Sequence, residues 1–166
     1  DFMSDIADIC MDALNKAANF DFLTGIRNRN SYEKIITSLR NDNVDATYFI
    51  ADVNNLKQTN DILGHSAGDN LLQSVAKVFK DSVKEHGWVF RMGGDEFVVL
   101  LKDLDITTFL AELEKNKKQY NKDLLFPISF AIGYGKLLDP DGIETADKMM
   151  YENKKKMKDR MHDSIF

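Results

Sequence analysis

Apolar positions recur along this chain in blocks whose period switches between helical and extended. Phe2, Ile6, Ile9, Cys10, Ala13, Leu14 and Ala17 fall close to helical spacing and predict an amphipathic helix over residues 2–19. Such a helix either packs on its own domain or ends a connecting helix from an upstream sensor, and two heptads do not decide between the two. Thr24-Gly25 and Arg27-Asn28 break the pattern. Asn30 or Ser31 is placed to cap a second helix through about Leu39, with Glu33 near its start. Thr47–Val53 is a β-branched and aromatic run that reads as a buried strand. A helix is expected from Asp69 to about Lys84, with Leu71, Leu72, Val75, Val78 and Phe79 on its inner face.

Trp88–Arg91 and Phe97–Leu101 then read as two apolar strands, and the glycine pair between them as a hairpin tip. Ile106 to about Tyr120 has the pattern of a surface helix. Phe126–Gly135 reads as a strand with Pro127 near its start. Ile143 to about Lys158 reads as a last helix with Ala146, Met149, Met150 and Tyr151 inward. This succession implies an α+β fold, one mainly antiparallel central sheet flanked by helices. With 166 residues and 43% hydrophobic content the chain can build one core.

Charge narrows the partners. Twenty-two Lys and Arg against 27 Asp and Glu give a net charge of -5, which argues against duplex nucleic acid. Cys10 is the single cysteine, so no disulfide framework exists within the chain, as suits a reducing cytoplasm. No apolar run reaches the roughly 18–20 residues of a membrane span. The first residue is Asp rather than Met, and an upstream part of a longer protein is expected.

The candidate chemistry gathers at two places. Asp95 and Glu96 follow Gly93 and Gly94 at the hairpin mouth, and adjacent carboxylates repel unless a cation or proton intervenes. Asp52 ends the Thr47–Val53 strand, where a carboxylate is costly without a cation or donors. Each has a plainer reading, an exposed turn for the pair and backbone hydrogen bonds for Asp52. His65 alone reads as a structural histidine, and no second histidine stands at zinc-ligand spacing. The Lys154-Lys155-Lys156-Met157-Lys158 run reads as a solvated helix face.

Taken together, five motifs in order resemble the GGDEF-domain family, the diguanylate cyclases. These are Asp21-x-Leu23-Thr24-Gly25-x-x-Asn28-Arg29, the stretch from Asp52-Val53-Asn54-Asn55 through Gly64-His65 to Gly68-Asp69, and Arg91-Met92-Gly93-Gly94-Asp95-Glu96-Phe97. Ile128-Ser129-x-x-Ile132-Gly133 and Ala146-Asp147-x-x-Met150-Tyr151-x-x-Lys154 complete the set. The resemblance covers about residues 21–158 and implies a fold similar to polymerase palm and nucleotidyl cyclase catalytic domains. It divides the chain into a connecting helix at 1–20 and a catalytic domain at 21–166.

The same resemblance implies condensation of two GTP into cyclic di-GMP and two pyrophosphates, in a two-fold homodimer with an upstream sensor domain. It implies Mg2+, with Mn2+ as a substitute, held by Asp52, the Val53 carbonyl, Asp95 and Glu96. Asp95 and Glu96 are also the catalytic pair. Asn60, Asp69 and His65 would contact guanine, Lys57, Lys154 and Lys158 the phosphates, and Gly93 and Gly94 would let the ribose approach the backbone. The expected location is the cytoplasm, or the cytoplasmic part of a membrane-anchored protein. Three departures qualify this. Asn54 and Leu56 replace a common Asp and Phe. Lys158 stands where an Arg is usual, with Arg160 as a substitute. The feedback motif Arg-x-x-Asp is replaced at 84–87 by Lys84-Glu85-His86-Gly87, so no feedback inhibition is expected there. The alternative function is a GTP-binding regulatory module without turnover.

Overall fold

Nearly every residue between Thr47 and Val53 is buried, because both edges of this strand are paired and both of its faces are covered. The computed structural model describes residues 1–124 and 126–164; positions 125, 165 and 166 of the expected catalytic domain lie outside the described residues. The elements in chain order are α1 (Phe2–Asn19), β1 (Arg27–Asn28), α2 (Arg29–Asn41), β2 (Thr47–Val53), α3 (Leu56–Leu63), α4 (His65–Val83), β3 (Gly87–Gly93), β4 (Glu96–Leu101), α5 (Ile106–Tyr120), β5 (Phe130–Lys136) and α6 (Gly142–Asp163).

The sheet order is β1-β3-β4-β2-β5. Only the two-residue β1 pairs in parallel, so the expected α+β architecture with a mainly antiparallel sheet is what forms. Side chains alternate across β2 and β4 with the period of two that a pleated strand imposes. Phe49, Ala51, Val53, Phe97, Val99 and Leu101 join Leu71, Val75 and Phe79 of α4 and Phe109 and Leu113 of α5 in one core. Tyr48, Ile50, Val98 and Leu100 face the other way, against Tyr32, Ile36 and Leu39 of α2 and Ala146 of α6. Phe79 stacks on Phe97 and tilts against Phe130, and burial of each such ring contributes roughly 2–3 kcal/mol.

Four expectations need correction. The helix after the opening motif begins at Arg29, because the Asn28 side chain accepts from the Ser31 N–H at 3.0 Å and caps it there. The helix expected from Asp69 begins at His65, since Gly64 at φ 89° breaks the chain between it and α3, a helix that the polar 56–63 segment had hidden. β5 starts at Phe130 rather than Phe126, because its partner β2 ends opposite it at Val53, and past that point the Asn54 N–H to the Ser129 carbonyl, at 2.8 Å, is a single bond and not a ladder. Tyr151 does not point inward but is 58% exposed, with the Lys155 ammonium over its ring. The helix that carries it runs on to Asp163.

α1 buries none of its residues. α6, by contrast, lies on β5 with backbone against backbone. A Cβ at Gly133 would sit 2.0 Å from the Ala146 carbonyl oxygen and 2.5 Å from the Met150 nitrogen. Glycine is required there by close approach rather than by any unusual φ. Gly133→Ala is therefore expected to push α6 off the sheet and cost about 1–3 kcal/mol, read as a lower urea midpoint. An unchanged midpoint would mean that α6 yields without penalty.

Candidate active site

The site grows from the end of one strand and the turn of a hairpin. β2 and β4 are antiparallel with Asp52 opposite Glu96, so both carboxylates leave the sheet on the α2 and α6 side. The hairpin between β3 and β4 turns through Gly93 (φ 154°) and Gly94 (φ 51°), positions at which a side chain would be strained. A bulge between Arg91 and Gly93 adds to the local twist. The Val53 N–H donates to the Asp95 carbonyl oxygen at 2.9 Å, which fastens the hairpin tip to the end of β2 and brings Asp95 beside Asp52.

Arg91 braces this tip from below. Its Nε and Nη2 donate to the Gly94 carbonyl at 3.1 and 2.8 Å, and its Nη1 reaches both Asp21 oxygens at 3.3 Å. Asp21 also accepts from the Thr24 N–H at 2.9 Å and from the Thr24 hydroxyl at 2.6 Å. Burial opposes ionisation of Asp21, but the Thr24 bonds and the Arg91 charge outweigh it and hold the carboxyl below its ordinary value. The sequence alone assigns neither Arg91 nor Asp21 a role. A charged side chain inside an apolar strand was the available signal, but its partner lies 70 positions away.

The electrostatics of the acidic pair are unbalanced. Burial, and after it the Asp52 charge, raise the Asp95 carboxyl above its ordinary value. Burial also raises Glu96, with Asp147, Asp52 and Asp95 adding to the effect and Arg29 opposing it. Lys154 of α6 donates to Asp52 Oδ2 at 2.8 Å. Asp52 Oδ1 is buried with no hydrogen-bond partner, an orphan acceptor where one more positive or donating group fits. Among the described residues no three His, Cys, Asp or Glu side chains gather into a ready-made metal cluster.

Beside the pair opens a cleft of about 820 Å³, bounded by residues 53–58, Asp95, Ser129 and the last turns of α6. Lys57, Lys154, Lys158 and Arg160 all line it, so the phosphate candidates converge and Arg160 joins them. The first turn of α3 also borders it. Asn55, in the left-handed region at φ 65°, makes no side-chain cap, so the helix's first N–H groups are not satisfied by a capping side chain. Asn54 donates its amide to Ser129 Oγ at 2.9 Å and to Met157 Sδ at 3.2 Å, tying the floor of the cleft to α6. A carboxylate at this position could make neither donation.

The guanine candidates lie at the junction of α3 and α4. Asn60 is half-buried against Gly68, where a Cβ would fall 1.8 Å from Asn60 Oδ1. His65 and Asp69 stand one turn apart at the start of α4, both exposed to solvent. None of the three lines the cleft that holds the lysines.

Residues 18–160 match the family described as "Diguanylate cyclase, GGDEF domain". The chain belongs to the GGDEF-domain family. It is 32% identical over 163 residues to the signaling protein YkoW of Bacillus subtilis, covering 89% of this chain and 20% of that protein. It is 29% identical over 165 residues to diguanylate cyclase DosC of Escherichia coli K12, covering 93% of this chain and 35% of DosC. The chain thus spans between a fifth and about a third of these relatives. The structure of the coiled coil and GGDEF domain of DgcB from Caulobacter crescentus, in complex with c-di-GMP, matches with a TM-score of 0.79 at 19% identity, over 92% of this chain and 89% of that one. At that identity the likeness shows the shared fold.

Within this GGDEF domain residues 84–86 are at the surface or half-buried, and Gly87 has little room for a side chain. A Cβ on Gly87, the first residue of β3, would lie 2.0 Å from the Leu100 carbonyl oxygen, so an aspartate has no room without a backbone shift.

Asp95 sets up a cost that the GGDEF domain carries. Its carboxyl holds a proton more tightly folded than unfolded, so stability is lost as pH rises from 3.8 through the raised folded value, and the deficit remains at neutral pH. Asp95→Asn should raise the melting temperature of the ligand-free domain at pH 7 by about 2 °C, a small gain because solvent screens a partly open site. The gain should vanish at pH 3; a loss of stability at pH 7 would contradict this account.

Proposed function

We propose that this GGDEF domain is a diguanylate cyclase that condenses two GTP into cyclic di-GMP with release of two pyrophosphates. The observation that carries the reading is the intact Gly93–Phe97 hairpin, which sets Asp95 beside Asp52 and its orphan oxygen at the edge of a cation-lined cleft. The match to DosC, named a diguanylate cyclase, supports it. Asp52, the Val53 carbonyl and Asp95 offer oxygen alone, the donor type that Mg2+ prefers and that Mn2+ accepts. Bound there, the ion would neutralise charge on the transferring phosphoryl group and ease deprotonation of the ribose 3′-hydroxyl.

The chain's own residues would do the rest. Glu96, whose proton affinity is raised by its surroundings, is suited to accept the 3′-hydroxyl proton, and is the second candidate for metal contact. Lys57, Lys154, Lys158 and Arg160, with the first N–H groups of α3, would hold the triphosphate. The Asp69 carboxylate would accept the guanine N1–H and N2–H2 donors, which adenine does not present together. Asn60 would contact the other edge of the base, with His65 as support. The side-chain-free tip at Gly93 and Gly94 would let the ribose come close.

One domain has one such base site and one hairpin, while the product holds two nucleotides. Two copies would therefore face each other as a homodimer, each presenting GTP to the other's 3′-hydroxyl. We assign residues 1–20 to a connecting helix from an upstream sensor domain, residues 21–166 to the catalytic domain, and the reaction to the cytoplasm. Among the described residues no helix is long and apolar enough to cross a membrane. The closed position at Gly87 supports the absence of feedback inhibition through the 84–87 stretch.

Concentrated protein incubated with GTP and Mg2+ should yield cyclic di-GMP, resolved by chromatography and mass. Asp95→Ala should lower the rate by about 100-fold or more, the scale of losing a principal electrostatic group. Specific activity should rise with enzyme concentration as dimers form. A GTP-dependent thermal shift without product would instead assign the domain to the regulatory, non-turning-over class.

A further inference from the structure

The ammonium of Lys154 has two calls on it. It lies 2.8 Å from Asp52 Oδ2, and it borders the cleft shared with Lys57, Lys158 and Arg160. The helix that carries it is fixed on both sides of the residue. Asn153 Oδ1 accepts from the Ile132 N–H at 2.9 Å, and Met157 Sδ accepts from the Asn54 amide. Gly133 lets the same helix rest directly on β5. With the backbone held in this way, the side chain is the part that can change partners. Asp52 and Lys154 are 19% and 31% exposed, so their attraction is less screened than that of a surface pair.

We propose that Lys154 is the resident counter-ion of Asp52, paired with it where a divalent cation would otherwise compensate the carboxylate, and that it releases Asp52 when a triphosphate gives its ammonium a new partner. This rests on the nucleotidyl-transfer reading above. A divalent cation on Asp52 Oδ1 and the ammonium on Oδ2 would repel each other across a single carboxylate that compensates only one of their charges. A cation binding alone would therefore weaken the Lys154–Asp52 pair and press the ammonium toward a cleft that Lys57, Lys158 and Arg160 also line. When nucleotide is present, that displacement costs little, because phosphate oxygens accept the ammonium. Metal and nucleotide binding are then positively coupled through one side chain, in addition to their direct contact with each other. The coupling disfavours loading of the site by metal alone and joins filling of the metal position to arrival of the substrate.

The inference is distinct from a phosphate contact alone, which predicts that loss of Lys154 weakens nucleotide binding and leaves metal binding to the nucleotide-free protein almost untouched. It is also distinct from a general field effect, which predicts similar changes for any lysine in the cleft. The experiment titrates Mn2+ into nucleotide-free protein at pH 7.5, following free Mn2+ by electron paramagnetic resonance, for wild type, Lys154→Met, Lys154→Arg and Lys158→Met. Binding of a GTP analogue with a methylene bridge between its α and β phosphates is measured in parallel, with and without Mn2+. Circular dichroism confirms that each variant is folded, and Lys154→Arg, which keeps the charge and the pairing, covers the case in which Lys154→Met is not.

Lys154→Met should bind Mn2+ about tenfold more tightly than wild type while binding the metal-free analogue about tenfold more weakly, opposite signs from one substitution. Lys158→Met should change Mn2+ affinity by less than about threefold. Lys154→Arg should bind Mn2+ no better than wild type. Unchanged or weaker Mn2+ binding in Lys154→Met, equal gains in Lys154→Met and Lys158→Met, or tighter Mn2+ binding in Lys154→Arg would overturn the proposal while leaving the cyclase reading intact. Wild type that binds the analogue under no condition would overturn both.

Discussion

Two like charges held side by side are the constraint on which this structure turns. β2 and the β3–β4 hairpin are joined by ordinary ladder bonds, and those bonds bring Asp52 and Asp95 together regardless of what the carboxylates would prefer. The surrounding features can be understood as responses to that conflict. Lys154 neutralises one oxygen and leaves the other without a partner. Arg91 supports the hairpin through main-chain oxygen and Asp21, away from the pair, so the clamp does not cancel the negative field. Hydrophobic burial on both faces of β2 supplies the stability that this local conflict removes.

Much of the fold was legible in the chain. Strand β2 and helix α5 have the bounds that periodicity predicted, and the inner face of α4 is the apolar set read from spacing. These segments are long, and a single period decides each one. The misreadings share a different cause. β1 has two residues and depends on β3 for its existence, so no local pattern could announce it. The segment before β5 has strand composition but no partner strand. α3 has only eight residues, with Leu56, Ile62 and Leu63 as its apolar positions, and so short a pattern does not announce a helix by itself.

The site was legible to a different depth. Asp52, Asp95 and the cleft lysines were named from motifs, and the fold brings them to one place. Their relations to one another were not visible. That Lys154 faces Asp52, that Asn54 holds Met157, and that Gly87 has no room for a side chain are all facts about segments between 13 and 103 positions apart. The family match says which family the domain belongs to, and the distances say how the residues of its candidate site engage one another.

The contact between α6 and β5 bears on how this site can change over generations. Main-chain atoms meet main-chain atoms at Gly133 and Gly135, so the spacing between helix and sheet is set by groups common to every amino acid. Side chains around the cleft do not set that spacing, so a change in their size or charge can leave it in place. The molecule thus separates two kinds of inheritance. Chemistry is carried by replaceable side chains, and the ruler that spaces them is carried by the lack of any.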